Sequence, residues 1–267
     1  MALDPLHRVV TIDTPKEEWV FSRYRVIMIR DLLIEHLGAL ALQPSGLQMR
    51  AMNRISMILM DDRRPEIANN MINWEAELPQ ITEDLDVLFF RGLITKDRTV
   101  RFRPVIGGMP TDRSGFSSLG LTRWDCPGSS DVIILFDTNE LGPQTRLNRV
   151  QRRSKVLGTL CHEMVHAFYQ LYSCKDVDCC LAADGEYARL VAPRSGHGDA
   201  WLNVAKYINM LFVSMFPMLD YTGSPGWLYR PRPDGLQDAY RDAMGIVEND
   251  VPGILPPGVM TIPPPFM

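Results

Sequence analysis

Three observations predict an α+β fold. Helical spacing of apolar residues dominates the first third of the chain, short β-rich runs occupy the middle, and two long amphipathic helical patterns around a loop follow. Helices first, then about three strands, then helices again is an α+β order rather than an alternating one. The 267 residues, 46% hydrophobic and 22% charged, suffice for one large domain or two modest ones with a buried core.

Taken in order, Thr14-Pro15-Lys16-Glu17 carries a cap residue, a proline and an early acid, so a helix is expected over residues 15–42. Val20, Tyr24, Ile27, Met28, Leu32 and Leu33 supply its apolar spacing, and His36 is expected at its closing end, where a cation suits the helix dipole. Gln43-Pro44-Ser45-Gly46 breaks the pattern. Residues 47–80 read as helical pieces interrupted at Arg64-Pro65, and Ile81–Phe90 as a further helix stopped by Gly92. Thr99–Arg103 alternates as a half-buried strand does, Gly115–Arg123 is the second candidate strand, and Asp131–Phe136 is a short apolar β-rich third. Helical spacing returns from Asn148 to Tyr172. Residues 173–198 read as a long loop, Asp199–Met218 as a helix, 235–246 as a short helix and 252–267 as an irregular proline-rich end.

Several functions are disfavoured at once. A net charge of −4 does not describe a chain that wraps nucleic acid. The opening MALDPLHRVVTIDTPKEEW has no basic region followed by an apolar run, and no stretch approaches the ~18 uncharged apolar residues of a membrane helix, so an intracellular protein of nucleus or cytoplasm with no membrane partner is expected. The odd count of five cysteines, without an export signal, reads as thiols rather than as a disulfide framework, and Cys174, Cys179 and Cys180 lack the spacing of a metal knuckle.

The chemistry concentrates at Cys161-His162-Glu163-Met164-Val165-His166. His162 and His166 lie one helical turn apart, so both imidazoles leave one face and form half of a tetrahedral zinc site. Glu163 is displaced about 100° around the helix, where a carboxylate serves the zinc's water rather than the zinc. Leu157, Leu160, Met164, Phe168 and Leu171 form an apolar stripe beside that face. Histidine is scarce here, five in the chain, so two at this spacing with a glutamate between them count for more than a coincidence. The expected reaction is zinc-assisted peptide hydrolysis with Glu163 as proton carrier; the alternative is a non-catalytic zinc-stabilised binding module, which would have no use for Glu163. A catalytic zinc needs a third protein ligand. The metzincin spacing fails, because Tyr169 and Tyr172 stand where glycine and histidine belong. Glu186 and His197 both remain, the latter between Gly196 and Gly198 and ahead of a strong helix that Asp199 would cap.

The run Leu157–Ala167, followed by Gly196-His197-Gly198 and then Trp201, resembles the SprT-like (Spartan) zinc peptidase family, as does the upstream Leu88-Phe89-Phe90-Arg91-Gly92-Leu93-Ile94. The resemblance spans roughly residues 80–218. It implies a zincin-like metallopeptidase domain with a small three-stranded sheet, Zn2+ held by His162, His166 and His197, Glu163 as catalytic residue, and a protein or peptide substrate. Residues 1–79 would then be an extra helical region and 219–267 a proline-rich extension. No cysteine follows Cys180, so the zinc ribbon of many members is not expected. Members of the family that repair DNA–protein crosslinks use added nucleic-acid-binding elements; here Arg146, Arg149, Arg152, Arg153 and Lys155 are the sole support for DNA as a partner, and they read first as a solvated helix face. Tyr169 and Tyr187 are candidate donors to an oxyanion, with structural burial the plainer fate. An edge strand, with 131–137 the candidate, would align an extended peptide.

Overall fold

The computed structural model describes residues 7–60, 74–96, 100–105, 120–124, 132–137, 149–174, 176, 185–191 and 197–216. Three helices come first: α1 (Val26–Leu42), α2 (Gly46–Met60) and α3 (Trp74–Phe89). Then come β1 (Val100–Val105), β2 (Gly120–Trp124) and β3 (Val132–Asp137), and finally α4 (Arg149–Tyr172), α5 (Glu186–Leu190) and α6 (Asp199–Met215). The α+β class therefore holds. The Arg64-Pro65 break, the helix expected at 235–246 and the proline-rich end lie outside the described residues.

The first helix starts later than its sequence signature. Lys16–Glu18 makes a single 3-10 turn, and α1 begins only at Val26. The segment between is taken by the far end of α4: Ser22 N donates to Leu171 O (2.8 Å), Tyr24 N to Tyr172 O (3.1 Å), and Cys174 N to Tyr24 O (2.8 Å). Trp19 and Tyr24 are buried there against Phe168 and Tyr172, with ring centroids 5.1–6.3 Å apart. Lys96 donates to the carbonyls of Lys16 (3.1 Å) and Trp19 (2.6 Å) and ties this strap down. Tertiary bonds thus override a local helix signal. From Val26 on, α1 buries Val26, Ile29, Leu33, Leu37 and Leu40, a helical stripe set against α6.

Gly92 ends α3 as expected. It stands at φ 70° and its N–H donates to Asp86 O (3.0 Å), while the buried Asp86 carboxylate accepts from Ile94 N, Thr95 N and Thr95 Oγ1 to turn the chain back. The helix itself starts earlier than expected and carries Pro79 inside it, on the exposed side. The sheet order is β1-β3-β2, with β1 parallel and β2 antiparallel to β3. The apolar run of β3 is therefore central, with Val132, Ile133, Ile134 and Leu135 all buried. It is not the edge strand that was expected: among the described residues the sheet's edges are β1 and β2. In β2, Gly120 and Thr122 face inward while Leu121 and Arg123 are exposed. One cluster of buried side chains runs from Val10 through α1–α3, β3 and α4 to Phe216. No described helix is long and apolar enough to cross a membrane.

His36 does not close α1. It lies within the helix, where its Nε2 donates to Leu88 O (3.1 Å), a carbonyl that Gln48 of α2 also meets (3.4 Å). Burial pushes its pKa down from 6.5 to about 4, and the neighbouring Arg91 charge adds to that. A folded state that refuses a proton accepted by the unfolded chain is most stable above pH 6.5 and loses stability down to pH 4. The span of about 2.5 units corresponds to about 3 kcal/mol. Buried Asp86, pushed up to about 7, shifts stability the opposite way over the same window, so the His36 part is read by difference: in urea unfolding at pH 7 and pH 4.5 the parent should lose more, or gain less, stability on acidification than His36→Gln.

Candidate metal centre

Helix α4 carries the first part of the site. His162 and His166 share one face, with ring centroids 5.2 Å apart. The α4 stripe expected from sequence is buried in full, at Leu157, Leu160, Met164, Phe168 and Leu171, and burial extends further round to Val156, Cys161, Val165 and Tyr169. The helix is thereby fixed in rotation, and its histidines are fixed with it.

His197 arrives from the turn before α6. Its Nε2 lies 3.1 Å from Nε2 of His162, and its ring centroid is 5.0 Å from that of His166. Among the described residues these three histidines are the one group of His, Cys, Asp or Glu placed to share a metal ion, with donor atoms within 4.8 Å of one another. The fit to a metal can be judged on the donor set. At zinc–nitrogen distances of about 2.0–2.1 Å in a tetrahedron, two imidazole nitrogens stand about 3.3 Å apart. The His162–His197 spacing already matches that edge. Burial, then the charges of His162 and His197, hold His166 well below its ordinary pKa, so its ring stays in the neutral form that ligates.

The turn carrying His197 is held from three sides. Tyr169 donates its hydroxyl to Ala200 O (3.0 Å) and joins α4 to the start of α6. Gly198 N donates to Val191 O (3.0 Å), and a Cβ at Gly198 would stand 2.4 Å from the Leu190 carbonyl carbon. Glycine is thus required by the end of α5, whereas the sequence suggested an approach to the metal. Trp201, fully buried, places its indole against all three imidazoles, at 4.5 Å from His162, 5.1 Å from His166 and 4.0 Å from His197. Asp199 does not cap α6: Gly198 is the N-cap residue and no side chain bonds there.

Glu163 sits on the sheet side of the histidines. Its Oε1 lies 4.0 Å from His162 Nε2, and its Oε2 accepts from the Thr122 hydroxyl at 2.6 Å. Burial raises its pKa, while the His162 charge and the Thr122 hydrogen bonds pull it back. Neither Thr122 nor Gly120 stands out in the sequence. The alternation of Gly120-Leu121-Thr122-Arg123 shows which residues face inward but not what they meet.

Glu186 is accounted for elsewhere. It opens α5, a short helix within the stretch whose sequence predicts a loop, and its buried carboxylate accepts from Val26 N (3.0 Å) and from Arg25 Nη2 (3.3 Å). It caps the N-terminus of α1 from 160 positions away and belongs to no metal-holding group among the described residues. The Tyr169 hydroxyl is engaged at Ala200, and Tyr187 meets Gln170, whose hydrogen bond partly offsets the rise that burial imposes on its pKa. Cys161 and Cys174 are buried and form no disulfide, and Cys174 Sγ accepts from Asp176 N (3.4 Å). Cys126, Cys179, Cys180, Arg146 and the side chains of Arg149, Arg152 and Arg153 lie outside the described residues.

Comparison with family models, with curated proteins and with solved structures finds no match.

Paired alanine variants separate the two glutamate and histidine roles. His197→Ala should lose most of its bound metal by elemental analysis. Glu186→Ala should keep its metal but leave a buried N–H unpaired, lowering the unfolding free energy by about 1–3 kcal/mol in urea titration.

Proposed function

We propose that this chain is a zinc-dependent endopeptidase of zincin-like, SprT-like type that hydrolyses peptide bonds of protein substrates. One observation carries the reading: three imidazoles converge within 4.8 Å while a buried glutamate, Glu163, stands beside them with Oε1 4.0 Å from His162 Nε2. Three histidine donors leave a fourth position open, which is the arrangement of a catalytic rather than a structural zinc. A purely structural site would gain nothing from a buried carboxylate next to its ligands, and burying one without a task costs free energy.

His162, His166 and His197 would hold the ion. A zinc held there would supply Lewis acidity toward a water and a substrate carbonyl. Glu163 takes the proton from the attacking water and returns it to the departing amine. Trp201, itself fully buried, packs against all three imidazoles and holds their rings in place. Strand β2, an edge of the sheet among the described residues with Gly120 directly against Glu163, would align an extended peptide by main-chain hydrogen bonds, with Leu121 and Arg123 on its exposed face.

Glu163→Gln tests the assignment. The amide keeps the shape and cannot carry the proton, so zinc content should stay near that of the parent while peptide hydrolysis falls by about 10²–10⁴-fold. Cleavage at the parent rate by this variant, measured on quenched fluorogenic peptides, would remove Glu163 from the mechanism.

A further inference from the structure

We propose that Thr122 is a positioning residue for Glu163: its hydroxyl, carried on β2, fixes Oε2 and so presents Oε1 to the three histidines. Its kinetic consequence rests on the peptidase reading; its geometric content does not.

The Thr122 hydroxyl lies 2.6 Å from Glu163 Oε2 and 2.9 Å from the main-chain oxygen of the same residue. A hydroxyl has one proton to donate, and the carboxylate contact is the shorter of the two. Had Thr122 been a core hydroxyl in need of a partner, the helix carbonyl alone would have satisfied it. One hydroxyl within reach of both the main-chain oxygen and Oε2 of Glu163 keeps that side chain folded toward its own backbone. Glu163 otherwise has three side-chain torsions to settle.

Gly120 completes the arrangement from the same face of the strand. A Cβ there would stand 2.7 Å from Glu163 Cγ and 2.9 Å from Oε1. The bare strand backbone is therefore a wall against one side of Glu163, and Thr122 is the latch beyond it. Strand β2 packs on α4, and Gln170 of that helix also donates to Thr122 O (3.5 Å). The pairing Gly120↔Phe136 and Thr122↔Ile134 sets their register from the sheet. The carboxylate is thus oriented from the sheet, by a strand that supplies none of the three histidines, which is what preorganisation of a proton carrier requires.

The test uses the zinc-loaded full chain with Thr122→Val, Thr122→Ala and Thr122→Ser, each checked for zinc content and thermal midpoint. On the best-cleaved member of a quenched fluorogenic peptide library, the Val and Ala variants should lose about 10–100-fold in kcat, with KM and zinc content near the parent's. Thr122→Ser, which keeps the hydroxyl, should recover most of that loss. Should one variant fold poorly, the other two still decide. A parent that cleaves peptides while Thr122→Val or Thr122→Ala keeps kcat within about threefold overturns the positioning role and leaves the peptidase reading standing, since second-partner losses run larger than that. A parent that cleaves nothing overturns the peptidase reading. Crystal structures of parent and Thr122→Val then decide the geometric claim: a displaced Glu163 carboxylate supports it, and an unmoved one overturns it.

Discussion

Helix α4 is enclosed on almost every side, and the polar residues along it have to be accommodated within that enclosure. Burying a charge or an unpaired donor costs far more than a single hydrogen bond returns, so each such group needs its own provision. Glu163 meets the Thr122 hydroxyl, His166 is kept neutral, and His162 faces His197. The elements around α4 can be understood as what these provisions demand: a strand edge on one side, and a glycine-flanked turn and an indole on the other.

The two sides act differently. The sheet supplies a wall whose position follows from strand pairing, so the approach of β2 to Glu163 is set by the register with β3. The turn at His197 is placed by contacts to other helices, through Tyr169 and Ala200 and through Gly198 against the end of α5. That end of α5 is in turn tied to α1, because Glu186 accepts from Val26 N. The third histidine is therefore held by a chain of packed backbone rather than by any single bond.

Much of the centre was legible in the sequence because it is local. His162, Glu163 and His166 fall within two turns of one helix, and helical periodicity alone places them. His197 was legible through its glycines and the following tryptophan, while Glu186 remained a rival because a glutamate at that distance suits a ligand as well as it suits a cap. What was hidden is non-local. Thr122 and Glu163 are 41 positions apart, and an alternating strand does not say which helix covers it. The start of α1 was misplaced for the same reason: Thr14-Pro15 is a sound local signal, but Tyr24 is claimed by the end of α4. The central place of β3 was open to inference, since four buried residues in a row suit a strand covered on both faces better than an edge.

The strap that runs from Arg8 to Tyr24 has a consequence for how the chain is made. Its partners at Leu171, Tyr172 and Cys174, and the Glu186 cap of α1, are synthesised long after it. At about 5–20 residues per second on the ribosome, the 160 positions between Val26 and Glu186 represent a wait of roughly 10–30 s. Throughout it, α1 has neither its cap nor α6 to cover its apolar stripe. His197 emerges later still. Closure of the N-terminal strap and completion of the three-histidine cluster thus fall within the same late stage of synthesis, and the chain is topologically unfinished until both are in hand.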